Sequence, residues 1–326
     1  MSALPGWAAE RLACPRCHGA LETLQDAGGG SRLACAAGHA YPVVDGIPIL
    51  LIDEVEPTQP GYWATRHEVH PTHELGVGED GIDPYVRIVL LGTSGNLYRD
   101  VGDRLQRYPI PVFPLAAGGG RVVVDIGSNW GRWCVAAARA GYRPIGVEPS
   151  LGAVRAARRV AAQLGVEAAY VVGDGRHLPL RDGSVDVVFS YSVLQHFAKP
   201  DARACLASAA RVLAPGGEAH VQMAASGGLW NLAKQARSGF RRPRGFDVRY
   251  WSLRELRSAF GEALGSVRFT ADGFFSLNPQ AADADLLGWP ARAVLRLSGA
   301  LCAASRGVWP LVAVADSVYV HARKAA

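Results

Sequence analysis

The chain has 326 residues, nearly half of them hydrophobic, which is enough for one large domain or two unequal ones. Its formal net charge of +5 is mildly basic and permits a polyanionic partner without requiring one. No stretch reaches the roughly 18 uncharged apolar residues of a membrane span, and residues 1–10 lack a signal-like basic patch and apolar run. We therefore expect a cytoplasmic protein without a transmembrane segment.

The first 55 residues carry four side chains of the kind that bind zinc. Cys14 and Cys17 form a Cys-x-x-Cys pair, and Cys35 and His39 follow after a short predicted hairpin. Two ligands on each of two tight turns is the arrangement that a tetrahedral structural zinc site needs. A segment this short hardly buries enough apolar surface to fold alone, and a metal would supply the missing stability. We therefore predict a zinc ribbon in residues 1–55, with Zn2+ in a structural role.

Other interpretations of these side chains stay open. Cys14 and Cys17 also have the spacing of a redox pair, although the βαβ pattern that usually accompanies such a pair is absent. The cysteines can also be a coincidence of composition. His18, next to Cys17, competes with His39 as the fourth ligand, and the spacing favours His39.

Residues 56–118 are rich in proline, glycine and histidine and have no sustained period, so we predict a linker and helical lid. His67, His70 and His73 recur at near-helical spacing and make a second metal site conceivable. Pro71 lies inside this run and weakens a helical placement, so an exposed linker is the favoured interpretation.

From residue 119 to the end at 326 the pattern changes to alternating strands and helices, with predicted insertions at 226–262 and 276–315. The strand candidates are 122–126, 144–148, 168–172, 185–190, 218–224, 266–275 and 317–322. The helix candidates are 131–140, 151–164 and 201–213. Such alternation predicts an α/β fold, a mostly parallel, Rossmann-like sheet of seven strands with helices on both faces. The most apolar stretch, 286–315, reads as buried helix, and a surface that rests on a membrane is the alternative.

Acidic residues follow three consecutive predicted strands. Asp125 ends the first strand, before a glycine-rich turn whose backbone N–H groups can bind a carboxylate. Glu148 ends the second strand, where a carboxylate can accept both ribose hydroxyls of a nucleoside. Asp174 ends the third and is suitably placed for an adenine amino group. A glycine-rich loop alone also suits a dinucleotide, so a Rossmann dehydrogenase is the alternative.

This series resembles the class I S-adenosylmethionine (SAM)-dependent methyltransferases across residues from about 120 to 225. The resemblance extends to the segments DVVFSYSVLQHF (186–197) and RVLAPGG (211–217). It implies that Asp125 and Gly127 frame the methionine part of SAM, Glu148 the ribose and Asp174 the adenine. The predicted cofactor site comprises Asp125, Gly127, Ser128, Asn129, Gly131, Glu148, Asp174, Gly175 and Ser190.

The chain departs from the family at one position and resembles a second group at its N-terminus. Asn129 stands where the family usually has glycine, and asparagine tolerates left-handed backbone better than other non-glycine residues. The ribbon, with its tail YPVVDGIPILL (41–51), is similar to short zinc-binding domains that are fused to or partner some methyltransferases. Some of those enzymes modify ribosomal or transfer RNA, and others act on small molecules or proteins.

Methyl transfer from a sulfonium to oxygen benefits from a general base, and His196 after the fourth predicted strand is the candidate. Capping of the next helix, or packing under the cofactor, is the alternative role of His196. Gln195 and Tyr191 are candidates to hydrogen-bond the substrate.

Six basic residues and a single acid, Asp247, lie between Lys234 and Arg249. This cluster suits phosphate on RNA, on a nucleotide sugar or on a phospholipid, and a solvated loop is the alternative.

We expect methyl transfer to oxygen or nitrogen of a small-molecule or cell-envelope acceptor, such as a sugar, glycan or lipid-linked compound. The segments GRWCVAAA, SYSVLQHF and FDVRYWS look similar to methyltransferases of bacterial polysaccharide gene neighbourhoods. The alternative is an RNA base methyltransferase that uses the ribbon and the basic cluster, although no Asn-Pro-Pro-Tyr-type motif follows the fourth strand. A non-catalytic SAM-binding regulator or zinc-ribbon interaction protein is a third hypothesis.

Overall fold

A computed structural model describes residues 4–25, 29–55, 81–93, 105–275 and 281–325. The histidine run His67, His70 and His73 and most of the predicted linker therefore lie outside the described residues. The strands are β1 (Leu21–Gln25), β2 (Ser31–Cys35), β3 (Ala40–Val44), β4 (Ile47–Leu50), β5 (Val122–Ile126), β6 (Arg143–Glu148), β7 (Ala169–Gly173), β8 (Val185–Tyr191), β9 (Leu213–Ala224), β10 (Ser266–Gly273) and β11 (Ser317–Arg323).

The helices follow the predicted α/β alternation. They are α1 (Gly6–Ala9), α2 (Pro84–Thr93), α3 (Arg132–Arg139), α4 (Leu151–Gln163), α5 (Lys199–Val212), α6 (Leu229–Arg237), α7 (Leu253–Leu264), α8 (Trp289–Ala304) and α9 (Pro310–Ala313). Short 3-10 helices cover Gly175–His177, Leu194–His196 and Ala281–Leu286. The three predicted helices correspond to α3, α4 and α5, each within two residues at either end.

All eleven strands form one sheet in the order β1-β2-β3-β4-β7-β6-β5-β8-β9-β11-β10. The stretch from β7 to β9 is parallel throughout, and β11 runs antiparallel to both β9 and β10. This part accounts for the seven predicted strands and confirms the α/β sheet. The predicted count of seven was wrong for the whole sheet, because the four ribbon strands extend it through a parallel pairing of Ile49 with Val172 and Leu50 with Gly173.

Burial explains the composition of the central strands. All five residues of β5 and all five of β7 are buried, as expected for parallel strands covered on both faces. Helix α4 begins at the N-cap Ser150, whose hydroxyl accepts from the backbone N–H of Ala153, and it turns a row of alanines and valines toward the sheet. The parallel strands β5 to β8 therefore end at one edge, here named the carboxyl edge.

The predicted insertions differ in how they pack. Helix α7, most of which lies within 226–262, buries Leu256, Phe260 and Leu264 against the sheet and belongs to its helical layer. Helix α6, in the same predicted insertion, is largely exposed. The stretch 286–315 was predicted to be buried helix, and that was wrong: α8 buries only Ser298 fully and is mostly exposed. None of the described helices combines the length and apolarity needed to cross a membrane.

Candidate active site and metal centre

The structure brings the four predicted zinc ligands together at one end of the ribbon. The ligating atoms of Cys14, Cys17, Cys35 and His39 all lie within 4.8 Å of one another. His39 Nδ1 is 3.5 Å from Cys14 Sγ and 3.3 Å from Cys35 Sγ, and the sulfurs of Cys17 and Cys35 are 3.6 Å apart. Ligands around a tetrahedral zinc ion are spaced by about 3.5–3.8 Å, so the donor set and its geometry fit this metal.

The surroundings of Cys14 favour a metal-binding thiolate. Burial by itself would raise the pKa of this thiol, but hydrogen bonds from the Tyr41 hydroxyl, 3.1 Å away, and from the backbone lower it to about 6. His18, the other candidate for the fourth ligand, does not lie in the cluster. Its pKa is lowered by burial and by the nearby charge of Arg211.

The glycine-rich turn after β5 takes the left-handed backbone that the sequence required. Gly127, Asn129 and Gly131 have φ of 74°, 47° and 81°. A Cβ at Gly131 would lie 2.5 Å from the Tyr170 hydroxyl, so this position excludes any larger residue on steric grounds too. Asn129 adopts the conformation that a glycine commonly provides, which explains how the turn survives its presence.

Glu148 supports the turn from the neighbouring strand. Its Oε2 accepts from the backbone N–H of Asn129 at 3.0 Å, and its Oε1 accepts from that of Ser150 at 3.1 Å. Burial raises the pKa of Glu148 to about 7, against the lowering effect of these two bonds. Each carboxylate oxygen has a second lone pair, so the side chain can still accept a pair of ribose hydroxyls.

Asp125 is the penultimate residue of β5 and is buried. Burial raises its pKa to about 7, and the Cys134 thiol, 3.5 Å from Oδ2, is its hydrogen-bond donor. In the turn that follows β5, Ser128 Oγ and Asn129 Oδ1 are buried and have no hydrogen-bond partner among the described residues. Buried polar atoms are normally satisfied, so these two indicate that the turn is completed by a polar ligand.

The structure gives the remaining predicted cofactor residues other partners. Asp174 forms an ion pair with Arg176, whose Nη2 is 2.6 Å from Oδ2, so an adenine amino group would share this carboxylate. Ser190 donates from Oγ to the carbonyl of Ile126 at 2.9 Å and thereby ties β8 to β5. A Cβ at Gly175 would lie 2.7 Å from Ile126 Cγ2, so the small size of Gly175 serves packing.

His196 and Gln195 lie in the 3-10 turn beyond β8. His196 Nδ1 is 2.8 Å from the carbonyl of Phe246, and the two rings stack with centroids 4.0 Å apart. Burial lowers the pKa of His196, so the ring is neutral at pH 7 and donates from Nδ1. Gln195 Oε1 accepts from the backbone N–H of Ala224 at 2.8 Å, which gives it a structural role.

A polar cluster at the carboxyl edge escaped sequence analysis. Asp272, at the end of β10, accepts through Oδ2 from Tyr191 Oη and Gln222 Nε2, both at 3.2 Å, and from Ser317 Oγ at 3.0 Å. Among the described residues, no hydrogen bond reaches its Oδ1. Burial raises the pKa of Asp272, against the lowering effect of these bonds.

Arg132 adds a cation to this side of the site. Burial lowers its pKa to about 10, although the nearby Tyr191 and Tyr319 oppose the shift. Arg132 directly follows Gly131, so its position beside the glycine-rich turn was available as a signal in the sequence. Asp272 offered no such signal, because it lies in a late strand with no recognisable motif.

Helix α2 and the residue before it pack against α4, near Glu148. Asp83, which is fully buried, forms a two-pronged ion pair with Arg159 on α4, at 2.6 and 3.2 Å. Burial and the neighbouring Glu148 carboxylate raise the pKa of Tyr85, which places this phenol near Glu148. Sequence analysis named neither residue.

Comparison with known proteins agrees with this geometry. Residues 123–217 match a family described as "Methyltransferase domain". An uncharacterized methyltransferase of Mycobacterium sp. (strain JLS) is 42% identical over 99 residues, which are 30% of this chain and 37% of that protein. One from Mycobacterium avium (strain 104) is 40% identical over 82 residues, or 25% of this chain and 31% of that protein. The chain thus spans about a third of the length of these relatives.

Solved structures were also compared. A SAM-dependent methyltransferase from Methanosarcina mazei shares 16% sequence identity with a TM-score of 0.47, covering 66% of this chain and 99% of that one. The matched family segment, 123–217, contains Asp125, Glu148 and Asp174.

Proposed function

We propose that this chain, whose residues 123–217 are a methyltransferase domain, transfers the methyl group of SAM to oxygen or nitrogen of a small-molecule or cell-envelope acceptor. The observation that carries the proposal is the row of acids at the carboxyl edge, where Asp125, Glu148 and Asp174 lie at or just after the ends of three adjacent parallel strands. SAM, when bound, supplies an already activated methyl group. The task of the protein is therefore to bind, to orient the acceptor and to exclude water.

The cofactor half of the proposed site uses the turn after β5. Glu148 would accept the ribose hydroxyls, and Asp125 with the buried Ser128 Oγ and Asn129 Oδ1 would meet the amino-acid part of SAM. Two buried oxygens without partners fit a ligand that carries an ammonium and hydroxyl groups. Asp174 would accept the adenine amino group while it keeps its ion pair with Arg176.

The acceptor half would be the cluster around Asp272. Carboxylate, phenol, amide and hydroxyl groups converge there, beside the guanidinium of Arg132. A sugar presents several hydroxyls that such groups can bind, which favours a sugar, glycan or lipid-linked glycan as the acceptor. Asp272 Oδ1 and the neutral His196 are the two candidates to take up the acceptor's proton.

We also propose that Cys14, Cys17, Cys35 and His39 hold a structural Zn2+, since all four tetrahedral positions are filled by protein. The proposed organisation is a zinc ribbon at 1–55, a linker and lid at 56–118, and a methyltransferase domain at 119–326.

The cofactor assignment is tested by SAM binding. Asp125→Ala and Glu148→Ala should each abolish measurable binding in calorimetry, while Asp182→Ala, a change of an exposed acid near α5, should bind as wild type. Unchanged SAM affinity in both site variants, with the fold intact by circular dichroism, would refute the proposed cofactor site.

The acceptor class is tested by transfer of labelled methyl from SAM into fractionated cell extract, with glycan, lipid and RNA pools counted separately. Label in the glycan or lipid pool supports the proposal. Label in RNA would replace it with a nucleic-acid methyltransferase that uses the basic segment 234–249. With the acceptor known, Asp272→Asn and His196→Gln are compared: the variant of the proton acceptor should lose kcat by about 100-fold or more and keep its SAM affinity.

A further inference from the structure

Exposed apolar side chains concentrate in one part of the chain. Thirteen large hydrophobic residues are exposed among the described residues, and ten of these lie between 229 and 309. Trp230, Trp289 and Trp309 are 47%, 76% and 59% exposed. Exposed tryptophans and leucines on this scale normally mark an interaction surface.

Helix α6 packs with its polar side inward. Its buried residue is Asn231, whose amide donates to the carbonyls of Ala225 and Asp316 at 3.0 and 2.6 Å. Leu232 on the same helix is 47% exposed. A helix that faced only water would have the reverse arrangement, with the asparagine outside.

Helix α8 packs Leu295 and Leu301 against the core but also leaves apolar side chains outside. Its buried residue is Ser298, whose hydroxyl accepts from the backbone N–H of Phe274 at 3.0 Å. Val294 and Leu297 face outward and are 39% and 52% exposed. Both helices turn apolar side chains outward, which favours an apolar partner.

The two segments that carry these helices are both positively charged. Residues 229–246 contain five basic residues and no acid, and residues 289–309 contain three basic residues and no acid. Arg242 and Arg292 are exposed, as are most of the other cations. Apolar and aromatic residues interspersed with arginine are typical of helices that lie in the interface of an anionic bilayer.

The two segments leave the sheet at the same edge. Helix α6 follows the end of β9, and 289–309 precedes the start of the antiparallel β11, so both emerge at the carboxyl edge. The backbone N–H of Leu229 bonds to the carbonyl of Val314, which joins the start of α6 to the end of α9. The exposed residues of α6, 238–246 and 289–309 are named here the basic apolar face.

We propose that the basic apolar face binds the surface of an anionic membrane. The face combines exposed tryptophan and leucine with eight cations, one of which, Arg241, pairs with the adjoining Asp247, and this positive surplus complements acidic headgroups above an acyl layer. A second copy of the chain would bring eight cations against eight others, so like-charge repulsion disfavours self-association through this face. The proposal does not depend on the acceptor of the methyl group.

Vesicle cosedimentation of the full chain tests the proposal. Wild type should bind phosphatidylcholine vesicles that contain phosphatidylglycerol, and should bind pure phosphatidylcholine at least tenfold more weakly. Leu232→Glu should weaken binding roughly tenfold or more, because it removes an inserted apolar side chain and adds a repelled charge. Arg237→Ala with Arg242→Ala should weaken it roughly 25-fold, at about fivefold for each cation.

Leu24→Glu is the matched control, since Leu24 is 40% exposed on β1 at the opposite end of the sheet. It should bind vesicles as wild type, and all variants should keep their SAM affinity. Absence of vesicle binding in wild type would overturn the proposal, and so would equal losses in Leu24→Glu and Leu232→Glu. A dimer that Leu232→Glu dissociates, without vesicle binding, would assign the face to a second copy instead.

Discussion

The N-terminal ribbon and the central strands belong to one sheet but are stabilised in different ways. Strand β1 exposes four of its five residues, whereas β5 buries all five. The central strands are therefore held by apolar burial on both faces, whereas in the ribbon only β4 is fully buried and a cluster of three thiols and an imidazole lies at its end. Membership of a sheet therefore does not by itself stabilise a strand, because strand hydrogen bonds contribute little without buried side chains.

The largest expected effect is on the ribbon. Cys14→Ser should lose the proposed zinc ion and unfold residues 4–55, because metal binding to such sites contributes on the order of 10 kcal/mol to folding. Zinc per chain, measured by atomic emission, should fall from one equivalent to none, and limited proteolysis should cut within the ribbon. Cys302→Ser, at a cysteine on α8 outside the cluster, should keep the full zinc content. One equivalent of zinc in Cys14→Ser would contradict the ligand set.

The next largest effect on stability is expected in the core around the central strands, which is stabilised by packing and not by a metal. Gly131→Ala should lower the free energy of unfolding by about 2–5 kcal/mol, since left-handed strain adds to a clash with Tyr170. Gly165→Ala is the control, because Gly165 also has positive φ but has open space around its Cβ position. It should cost about 1–2 kcal/mol, the strain alone. Equal losses in denaturant unfolding would show that the contact with Tyr170 is not limiting.

A third effect separates stability from binding at the cofactor site. The pKa of Glu148 is raised by burial from an ordinary value of 4.5 to about 7, so the folded state favours the protonated acid. The stability that protonated Glu148 contributes to the folded state is fully present below about pH 4 and is lost as the pH rises to about 7. Glu148→Gln should therefore raise the stability of the ligand-free protein at pH 8 by up to about 3 kcal/mol, with no gain at pH 4.

Thermal unfolding at both pH values measures this effect, and calorimetry should show that the same variant binds SAM more weakly. A variant that is no more stable at pH 8 than wild type would mean that the buried carboxylate carries no cost there.

The smallest expected effect concerns the link between the two regions. Asp45 lies in the turn between β3 and β4, and its carboxylate accepts a hydrogen bond from Arg155 Nε at 2.9 Å. The side chain of Asp45 is 41% exposed. Exposed ion pairs contribute little, so Asp45→Asn should lower stability by less than about 1 kcal/mol. Asparagine also tolerates the positive φ of 53° at this position, which makes the change specific to charge. A loss of several kcal/mol would show that the ribbon and core are coupled through this pair.

The placement of the three acids along one edge of the sheet was predictable from the sequence, because each lies at or just after the end of a parallel strand. The strands β5, β6 and β7 are buried and largely apolar, and parallel strands end at one edge of a sheet. The partners of those acids were not predictable. The ion pair of Asp174 with Arg176 and the bond from Ser190 to Ile126 depend on side-chain directions that spacing does not fix.

By itself, the sequence determined the α/β alternation, the set of four side chains of metal-binding type that cluster in the ribbon and the order of acids along the carboxyl edge, because each depends on local periodicity or spacing. Tertiary structure alone decided that β4 pairs with β7 and that Asp272 meets Tyr191 and Gln222. The antiparallel β11 lies between β9 and β10 and so brings the end of β10 to the carboxyl edge. Tertiary structure also decided that α6 and α8 turn leucines outward, since what a helix buries is set by its neighbours as well as by its own pattern.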